Sequence, residues 1–198
     1  MMGYKDTNEV NSKIIQVLNE SIQKAQKCSP SLLYKKSQFS VENNQLIIDS
    51  NNILNGSKLN KFKNCDQLIT AVMTAGKETE RLITKYSDRG PLEGYIMDTV
   101  ASYIIEKLSE DFWTQIRKRH NKQGENTTSF LAPGSSDFPL SEQKNIFSYL
   151  QPEKIGVSIT DSYIMNPIKS LSVLIGIGKG IEQAEKAHDC NECEMKNC

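Results

Sequence analysis

The chain has 198 residues, which is long enough to bury one sizeable core, so one or at most two compact units are expected. Its 24 lysines and arginines equal its 24 aspartates and glutamates, and no overall charge therefore points to nucleic acid or to an anionic membrane. The longest apolar runs are too short to span a bilayer, and the N-terminal stretch MMGYKDTNEV lacks the apolar core of a signal peptide. We expect a cytoplasmic protein that binds neither nucleic acid nor membrane.

The first pattern along the chain is helical. Apolar residues recur at three- and four-residue steps until Ser29-Pro30 ends the run, and they are Val10, Ile14, Ile15, Leu18, Ile22 and Ala25. This spacing predicts a helix that covers one side of a sheet. In the following stretch, 31–55, the turn signals Asn43-Asn44 and Asn55-Gly56 separate short apolar runs, which indicates short strands.

The middle of the chain contains an apolar run and a long amphipathic one. The run Leu68–Met73 fits either a helix or a buried strand, and we favour a strand that ends at Gly76, followed by a helix from Lys77 to Tyr86. After Arg89-Gly90-Pro91, apolar residues at helical spacing predict the longest helix of the chain, from Leu92 to Lys118.

The last third opens with the turn Pro133-Gly134. A short helix is predicted next, with one face formed by Gln143, Ile146, Phe147 and Leu150. Two runs of strand character follow, Ile155–Met165 and Ser170–Gly178, and the Gly-Ile-Gly end of the second indicates a central strand or a close backbone approach. A final helix is predicted from Lys179 to Ala187. Strands and helices in this mixture predict an α+β fold with a mostly antiparallel sheet.

Three cysteines at the C-terminus form a possible metal site. Their spacing is Cys190-x2-Cys193-x4-Cys198, and thiolates this close together suit zinc or an iron–sulfur cluster. One ligand is missing from the set, and the candidates for it are His188, Cys28, Cys65, water or a residue of a partner. The alternative is a reactive terminal tail whose thiols pair adventitiously.

Two further features have a functional and a plainly structural interpretation. A Pro-Gly pair such as Pro133-Gly134 can present backbone groups to a ligand, or it can be an ordinary loop that leads into a helix. Glu106 falls on the polar flank of the long predicted helix, where it either lines a pocket or is simply solvated.

The segments APGSSDFPLSEQKNIFSYL and IGVSITDSYIMNPIKSLSVLIGIG closely resemble the activation (reactivation) domain of cobalamin-dependent methionine synthase. The resemblance extends backwards through most of the chain, and the Cys-x2-Cys-x4-Cys end is similar to that of stand-alone versions of the domain. It implies a twisted, mostly antiparallel sheet with helices packed on it. It also implies a single unit over residues 1–187 and a cysteine-containing tail over 188–198.

The resemblance assigns a ligand site as well. In the family, the turn that matches Ala132, Pro133 and Gly134 is the core of the S-adenosylmethionine site, and Glu106 matches a glutamate near that pocket. An arginine four residues before the glycine and a tyrosine directly after it complete the family pattern, and here these positions are Phe130 and Ser135. Phenylalanine lacks the planar fork with which arginine holds a carboxylate.

The function implied by the resemblance is that of an accessory module without a complete catalytic site of its own. It would support the S-adenosylmethionine-dependent reductive remethylation of inactive cob(II)alamin. The cobalamin would be bound by a separate methionine synthase or related corrinoid protein, and the electron would come from a flavodoxin- or ferredoxin-type donor. The alternative is an electron-relay or binding protein on the same fold that carries a metal or cluster at Cys190, Cys193 and Cys198 and uses no S-adenosylmethionine.

Overall fold

The computed structural model describes residues 12–135 and 137–188. It contains four α-helices in this range: α1 (Ser12–Ala25), α2 (Lys77–Ser87), α3 (Pro91–Asn121) and α4 (Gln143–Leu150). Its strands in chain order are β1 (Ser31–Ser37), β2 (Ser40–Glu42), β3 (Gln45–Asp49), β4 (Asn52–Asn55), β5 (Gln67–Thr74), β6 (Asn126–Thr127), β7 (Ser158–Ile159), β8 (Met165–Asn166) and β9 (Ser170–Gly178).

The main sheet has four strands in the order β1-β5-β9-β6, and every pair is antiparallel. Its centre is the pair β5 and β9, which runs in continuous register from Gln67 opposite Ile177 to Thr74 opposite Ser170. A second sheet is formed by β2, β3 and β4, and a third by β7 and β8. The predicted α+β class with a mostly antiparallel sheet is confirmed.

Side chains on both faces of the central strands are buried. On one face, Leu68, Val72 and Leu174 pack with α4 and with the three-stranded sheet. On the other, Ile69, Val173 and Ile175 pack with the C-terminal half of α3. This two-sided burial explains why β5 and β9 are almost continuously apolar and do not alternate.

Gly176 in β9 is a point of close approach, as the Gly-Ile-Gly signal predicts. A Cβ atom at this position would lie 2.4 Å from Cys65 Sγ and 2.8 Å from Phe62 Cδ1. The bend after the 3-10 helix Ser57–Phe62 can therefore pack directly on the backbone of the central strand.

The helix α1 is present, but its buried residues pack with α2 and α3, whereas a position on one side of a sheet was predicted. Val17, Ser21 and Ala25 face the cluster formed with α2 and α3, whereas Ile15, Leu18 and Ile22 are at least 40% exposed. Helical spacing defines an apolar stripe along a helix. In α1 the stripe that packs against α2 and α3 is a neighbouring one, which includes the buried Ser21. The helices predicted from Lys77 to Tyr86 and from Leu92 to Lys118, the short helix that contains Gln143, and the strand predicted to end at Gly76 agree with the structure within a few residues.

The predicted strand Ile155–Met165 is wrong. Residue 155 ends a 3-10 helix, and the remainder forms the short hairpin β7–β8. The chain reverses at Thr160, whose N–H donates to Ile164 O at 2.9 Å and whose Oγ1 accepts from Ile164 N–H at 3.1 Å. Tyr163 takes the left-handed conformation that such a turn requires, with φ of 63°.

The predicted helix Lys179–Ala187 is also wrong, because this segment is irregular. Its backbone bonds go to the chain around β6: Ala184 N–H donates to Thr127 O at 3.0 Å, and Phe130 N–H donates to Ala187 O at 2.7 Å. Pairing with a strand edge therefore replaces the intrahelical bonds that the residue composition favours. None of the helices in 12–135 and 137–188 combines the length and the hydropathy that crossing a bilayer requires.

Candidate functional site

A surface cavity of about 310 Å³ lies between α3 and the irregular C-terminal segment. One wall is a single face of α3, because its residues recur at steps of four, three and one: Glu106, Glu110, Trp113 and Thr114. The other wall is Lys186, Ala187 and His188. Of the residues predicted to bind S-adenosylmethionine, Glu106 is the one that lines this cavity. His188, a candidate for the missing metal ligand, lines it as well.

Trp113 forms a fixed, apolar part of the cavity wall. Its indole Nε1–H donates to Thr128 O at 2.9 Å, and the Arg117 guanidinium carbon lies 5.3 Å from its ring centroid. The side chain is only 4% exposed and packs between α3 and the sheet. Because the indole N–H is satisfied, the ring is held in one orientation against the cavity.

The C-terminal wall is held by polar contacts along its length. Asn126 Nδ2 donates to Ile181 O at 2.8 Å, and Arg117 Nη1 donates to Glu185 O at 3.3 Å. Gln183 both accepts from Thr127 N–H at 3.2 Å and donates to Thr127 Oγ1 at 3.1 Å. The segment therefore follows β6 and the chain after it, which brings residues 186–188 next to α3.

Phe130 connects this wall to the core. Its ring is 8% exposed and packs in the cluster of the α3 face of the sheet. The His188 ring meets it edge-on, with centroids 5.1 Å apart and planes at 83°. At the position where the family pattern has an arginine, the structure thus has an apolar side chain covered by the C-terminal segment.

The Pro133-Gly134 turn uses part of its own backbone internally. Gly134 has a φ of 91°, and its N–H donates to Phe138 O at 2.8 Å. Ala132 O accepts from both Ser135 N–H and Ser135 Oγ, at 3.3 Å and 2.7 Å. A ligand at this turn would have to use groups other than the Gly134 amide and the Ala132 carbonyl.

The turn and the cavity both border the hydrophobic cluster on the α3 face of the sheet, but they do not form one pocket. Ala132 packs against the hydrophobic cluster that also includes Ile105 and Leu108, which lie on either side of Glu106. Among the described residues that line the cavity, however, none comes from 132–135. Ala132, Pro133, Gly134 and Ser135 therefore remain predicted ligand contacts, and so does Glu106.

The charged groups of the cavity have no ionic partners within the described chain. Glu106, Glu110 and Lys186 take part in no ion pair over residues 12–135 and 137–188. Two carboxylates thus stand on the α3 wall and one ammonium on the opposite wall. All three side chains are exposed to solvent, so hydration stabilises their charges in the absence of a ligand.

The predicted metal ligands Cys190, Cys193 and Cys198 lie outside the described residues. Cys28 and Cys65, which were considered as additional ligands, are free thiols. Burial, together with the nearby Asp66 carboxylate, raises the pKa of the Cys65 thiol to about 11, which disfavours the thiolate that a metal needs. Within 12–135 and 137–188, no three histidine, cysteine, aspartate or glutamate side chains come together as a metal site.

Comparison by sequence leaves the chain without a match: no family model and no curated protein matches it. Comparison by structure is informative. A crystal structure of the MetH reactivation domain bound to AdoHcy superposes with a TM-score of 0.57 at 15% sequence identity. The superposition covers 87% of this chain. 

The chain has the fold of the MetH reactivation domain. It spans 66% of the length of that neighbour's chain, slightly under two thirds. At this level of identity the likeness concerns the fold and leaves the ligand and the activity to be argued separately. The fold that the sequence segments implied is confirmed.

Sequence reasoning singled out Glu106 as a ligand contact and His188 as a possible metal ligand, and it missed the other residues that line the cavity. The spacing of Glu106, Glu110 and Trp113 was a usable signal, because it puts two carboxylates and an aromatic ring on one helix face. The opposite wall had no such signal. Residues 186 and 187 were assigned to a helix and His188 to the cysteine-containing tail, and the pairing of this segment with the chain after β6 brings it to α3.

Proposed function

We propose that this chain is a reactivation-type domain that binds S-adenosylmethionine or S-adenosylhomocysteine and serves a cobalamin-dependent methyltransferase. The observation that carries the proposal is the shared fold with the MetH reactivation domain bound to AdoHcy, over 87% of this chain. The cavity beside Glu106 supports it, because its volume of about 310 Å³ lies at the lower end of the range for small-molecule sites.

The residues that would hold the ligand come from two places. The turn Ala132-Pro133-Gly134, with Ser135, would offer backbone and hydroxyl contacts. Glu106 would offer a carboxylate to a positively charged group of the ligand. S-adenosylmethionine carries a transferable methyl group, and the contribution of this chain is to bind the ligand and position it against a partner.

The partner would supply the cobalamin. In the proposed reaction the inactive cob(II)alamin of a methionine synthase, or of a related corrinoid protein, is remethylated with one electron from a flavodoxin- or ferredoxin-type donor. The chain would work as a stand-alone module in this reaction, and it would act in the cytoplasm. The rival hypothesis, a metal- or cluster-carrying relay protein, depends on the cysteines at 190, 193 and 198.

A reconstitution experiment tests the proposed function. A cobalamin-loaded methionine synthase truncated before its own reactivation domain is mixed with this chain, S-adenosylmethionine and reduced flavodoxin under anaerobic conditions. We expect the cob(II)alamin absorbance to decay to that of methylcobalamin only when the chain and S-adenosylmethionine are both present. Glu106→Gln should slow this conversion, and Glu182→Gln, an exposed glutamate away from the cavity, should not. Unchanged cob(II)alamin in the complete mixture, with a domain-containing methionine synthase active in parallel, would refute the proposal.

A further inference from the structure

The outer side of helix α1 carries an aliphatic stripe that stays exposed in the described part of the chain. Ile15 is 48% exposed, and Leu18 and Ile22 are each 40% exposed. Single exposed aliphatic side chains are common on protein surfaces, but these three recur at steps of three and four residues and therefore form one continuous strip. The helix is anchored by a different strip, from which Val17 and Ala25 pack against α2 and α3.

On α1 itself, no charged residue within 12–25 borders the aliphatic stripe. The exposed residues beside it are uncharged, and they are Ser12, Gln16, Asn19 and Gln23. The exposed Lys13 and Lys24 lie about 150° or more around the helix axis from the centre of the stripe. On that far side Lys13 Nζ lies 2.9 Å from Glu93 Oε1, and Glu20 pairs with Arg89 at 3.0 Å. The charges of α1 therefore face away from the stripe.

The polar groups beside the stripe restrict what can cover it. A helix that lies on an anionic membrane carries lysine or arginine next to its apolar face, and the lysines of α1 are on the far side. A strongly charged protein partner would find no opposite charge here. The side chains of serine, asparagine and glutamine, in contrast, both donate and accept hydrogen bonds, so each can pair with a copy of itself. A second copy of this surface is therefore a suitable partner for it.

The order of residues along the stripe has a matching symmetry. Ile15 and Ile22 are seven residues apart, which is about 10.5 Å along the helix axis, and Leu18 and Asn19 lie midway between them. When two copies of the helix meet antiparallel about a two-fold axis between residues 18 and 19, Ile15 of each copy faces Ile22 of the other. The two Leu18 side chains then meet at the centre. Each aliphatic residue has an aliphatic partner, and no like charges of α1 oppose each other.

We propose that α1 is a self-association surface, through which two copies of this chain pair antiparallel along Ile15, Leu18 and Ile22. The proposal is independent of the proposed function, because it uses neither the cavity nor a ligand. A stable interface buries about 800 Å² on each partner, and three partly exposed aliphatic side chains with their amide neighbours supply only part of that area. We therefore expect a weak dimer, with a Kd on the order of 100 µM.

Sedimentation equilibrium of the full chain under reducing conditions measures this association. We expect the wild type to pass from monomer to dimer between about 10 µM and about 1 mM. Leu18→Glu should raise the Kd at least about tenfold, because it places two like charges across the symmetry axis. The matched control is Ile168→Glu, which introduces the same charge at an isoleucine that is 70% exposed and should leave the Kd unchanged. Far-ultraviolet circular dichroism verifies that each variant is folded.

A mixing experiment tests the antiparallel arrangement. Ile15→Lys and Ile22→Glu should each dimerise more weakly than the wild type, because each places a charge against an isoleucine of the other copy. An equimolar mixture of the two should associate about tenfold more tightly than either variant alone, because the new charges then face each other. In a parallel dimer they would not meet, and the mixture would gain nothing.

Three results would overturn the proposal. The first is a wild type that stays monomeric at about 1 mM, and the second is a Leu18→Glu variant that dimerises as tightly as the wild type. The third is a mixture of Ile15→Lys and Ile22→Glu that associates no more tightly than its components. Phosphatidylserine vesicles provide a further check. If the wild type remains monomeric and binds them through residue 18, the stripe is a membrane contact and the proposed dimer is wrong.

Discussion

The reactivity of the Cys65 thiol is set by the residues that surround it. The thiol lies against Gly176 in the central strand, and burial raises its pKa to about 11 from an ordinary value of 9.0. The thiolate is the reactive form, so its fraction near pH 8 is lower by about two orders of magnitude than that of an unshifted thiol.

Alkylation measures this effect. In the native chain at pH 8, we expect iodoacetamide to modify Cys65 about 100-fold more slowly than in the urea-unfolded chain. The rate should rise about tenfold per pH unit until the pH approaches 11, because a raised pKa delays formation of the thiolate. Mass spectrometry of the tryptic peptide 64–77 follows the reaction. Equal native and unfolded rates would show that the thiol is not shielded.

The close packing around Gly176 predicts that a larger side chain at this position destabilises the fold. Gly176→Ala places a methyl group within contact distance of Cys65 Sγ and Phe62, and we expect a loss of about 1–3 kcal/mol in the free energy of unfolding. Urea denaturation measures it. Gly180→Ala is the matched control, because a Cβ there meets nothing within 4 Å, and its change should stay within about 0.5 kcal/mol.

A double variant tests the cause. The shortest of the new contacts is with Cys65 Sγ, so Gly176→Ala/Cys65→Ala should recover part of the loss, after subtraction of the effect of Cys65→Ala alone. Strict additivity of the two substitutions would contradict a direct clash between these side chains.

Among the elements, those with local patterns were predictable and those that depend on distant partners were not. The helix α3 and the strand β9 followed from periodicity and from a continuous apolar run. The segment 179–187 was predicted as a helix because Glu, Gln, Ala and Lys favour one, and its bonds to Thr127 and Phe130 overrode that preference. The choice of the buried face of α1 likewise depended on a packing partner that the sequence does not display.

The C-terminal segment also offers a prediction at this scale. Gln183→Ala removes side-chain bonds to the N–H, carbonyl and hydroxyl of Thr127. We expect local opening to become easier by about 1 kcal/mol or more, which corresponds to at least about fivefold faster amide exchange at Ala184 and Phe130. Hydrogen-exchange mass spectrometry measures this, with the exposed Gln123→Ala as the control. Unchanged exchange would mean that Gln183 does not hold the segment in place.

For the molecule as a whole, the fold inferred from the sequence agrees with the structure. The candidate site was only partly predictable from the sequence. The turn at Pro133-Gly134 and the position of Glu106 were evident from the sequence. The cavity required a wall that only the tertiary structure creates. The internal bonds of the turn, which occupy the Gly134 amide, were not predictable either, because they depend on Phe138 returning to the turn.

The central claim is that this chain binds an S-adenosylmethionine-type ligand, and isothermal titration calorimetry with S-adenosylhomocysteine tests it most directly. The wild type is compared with Gly134→Ala and Gly124→Ala, since both glycines have positive φ, but Gly124 lies in open space. We predict saturable binding to the wild type and to Gly124→Ala, and weaker binding to Gly134→Ala, in which the left-handed turn is strained. The absence of binding to the wild type at millimolar ligand would contradict the account.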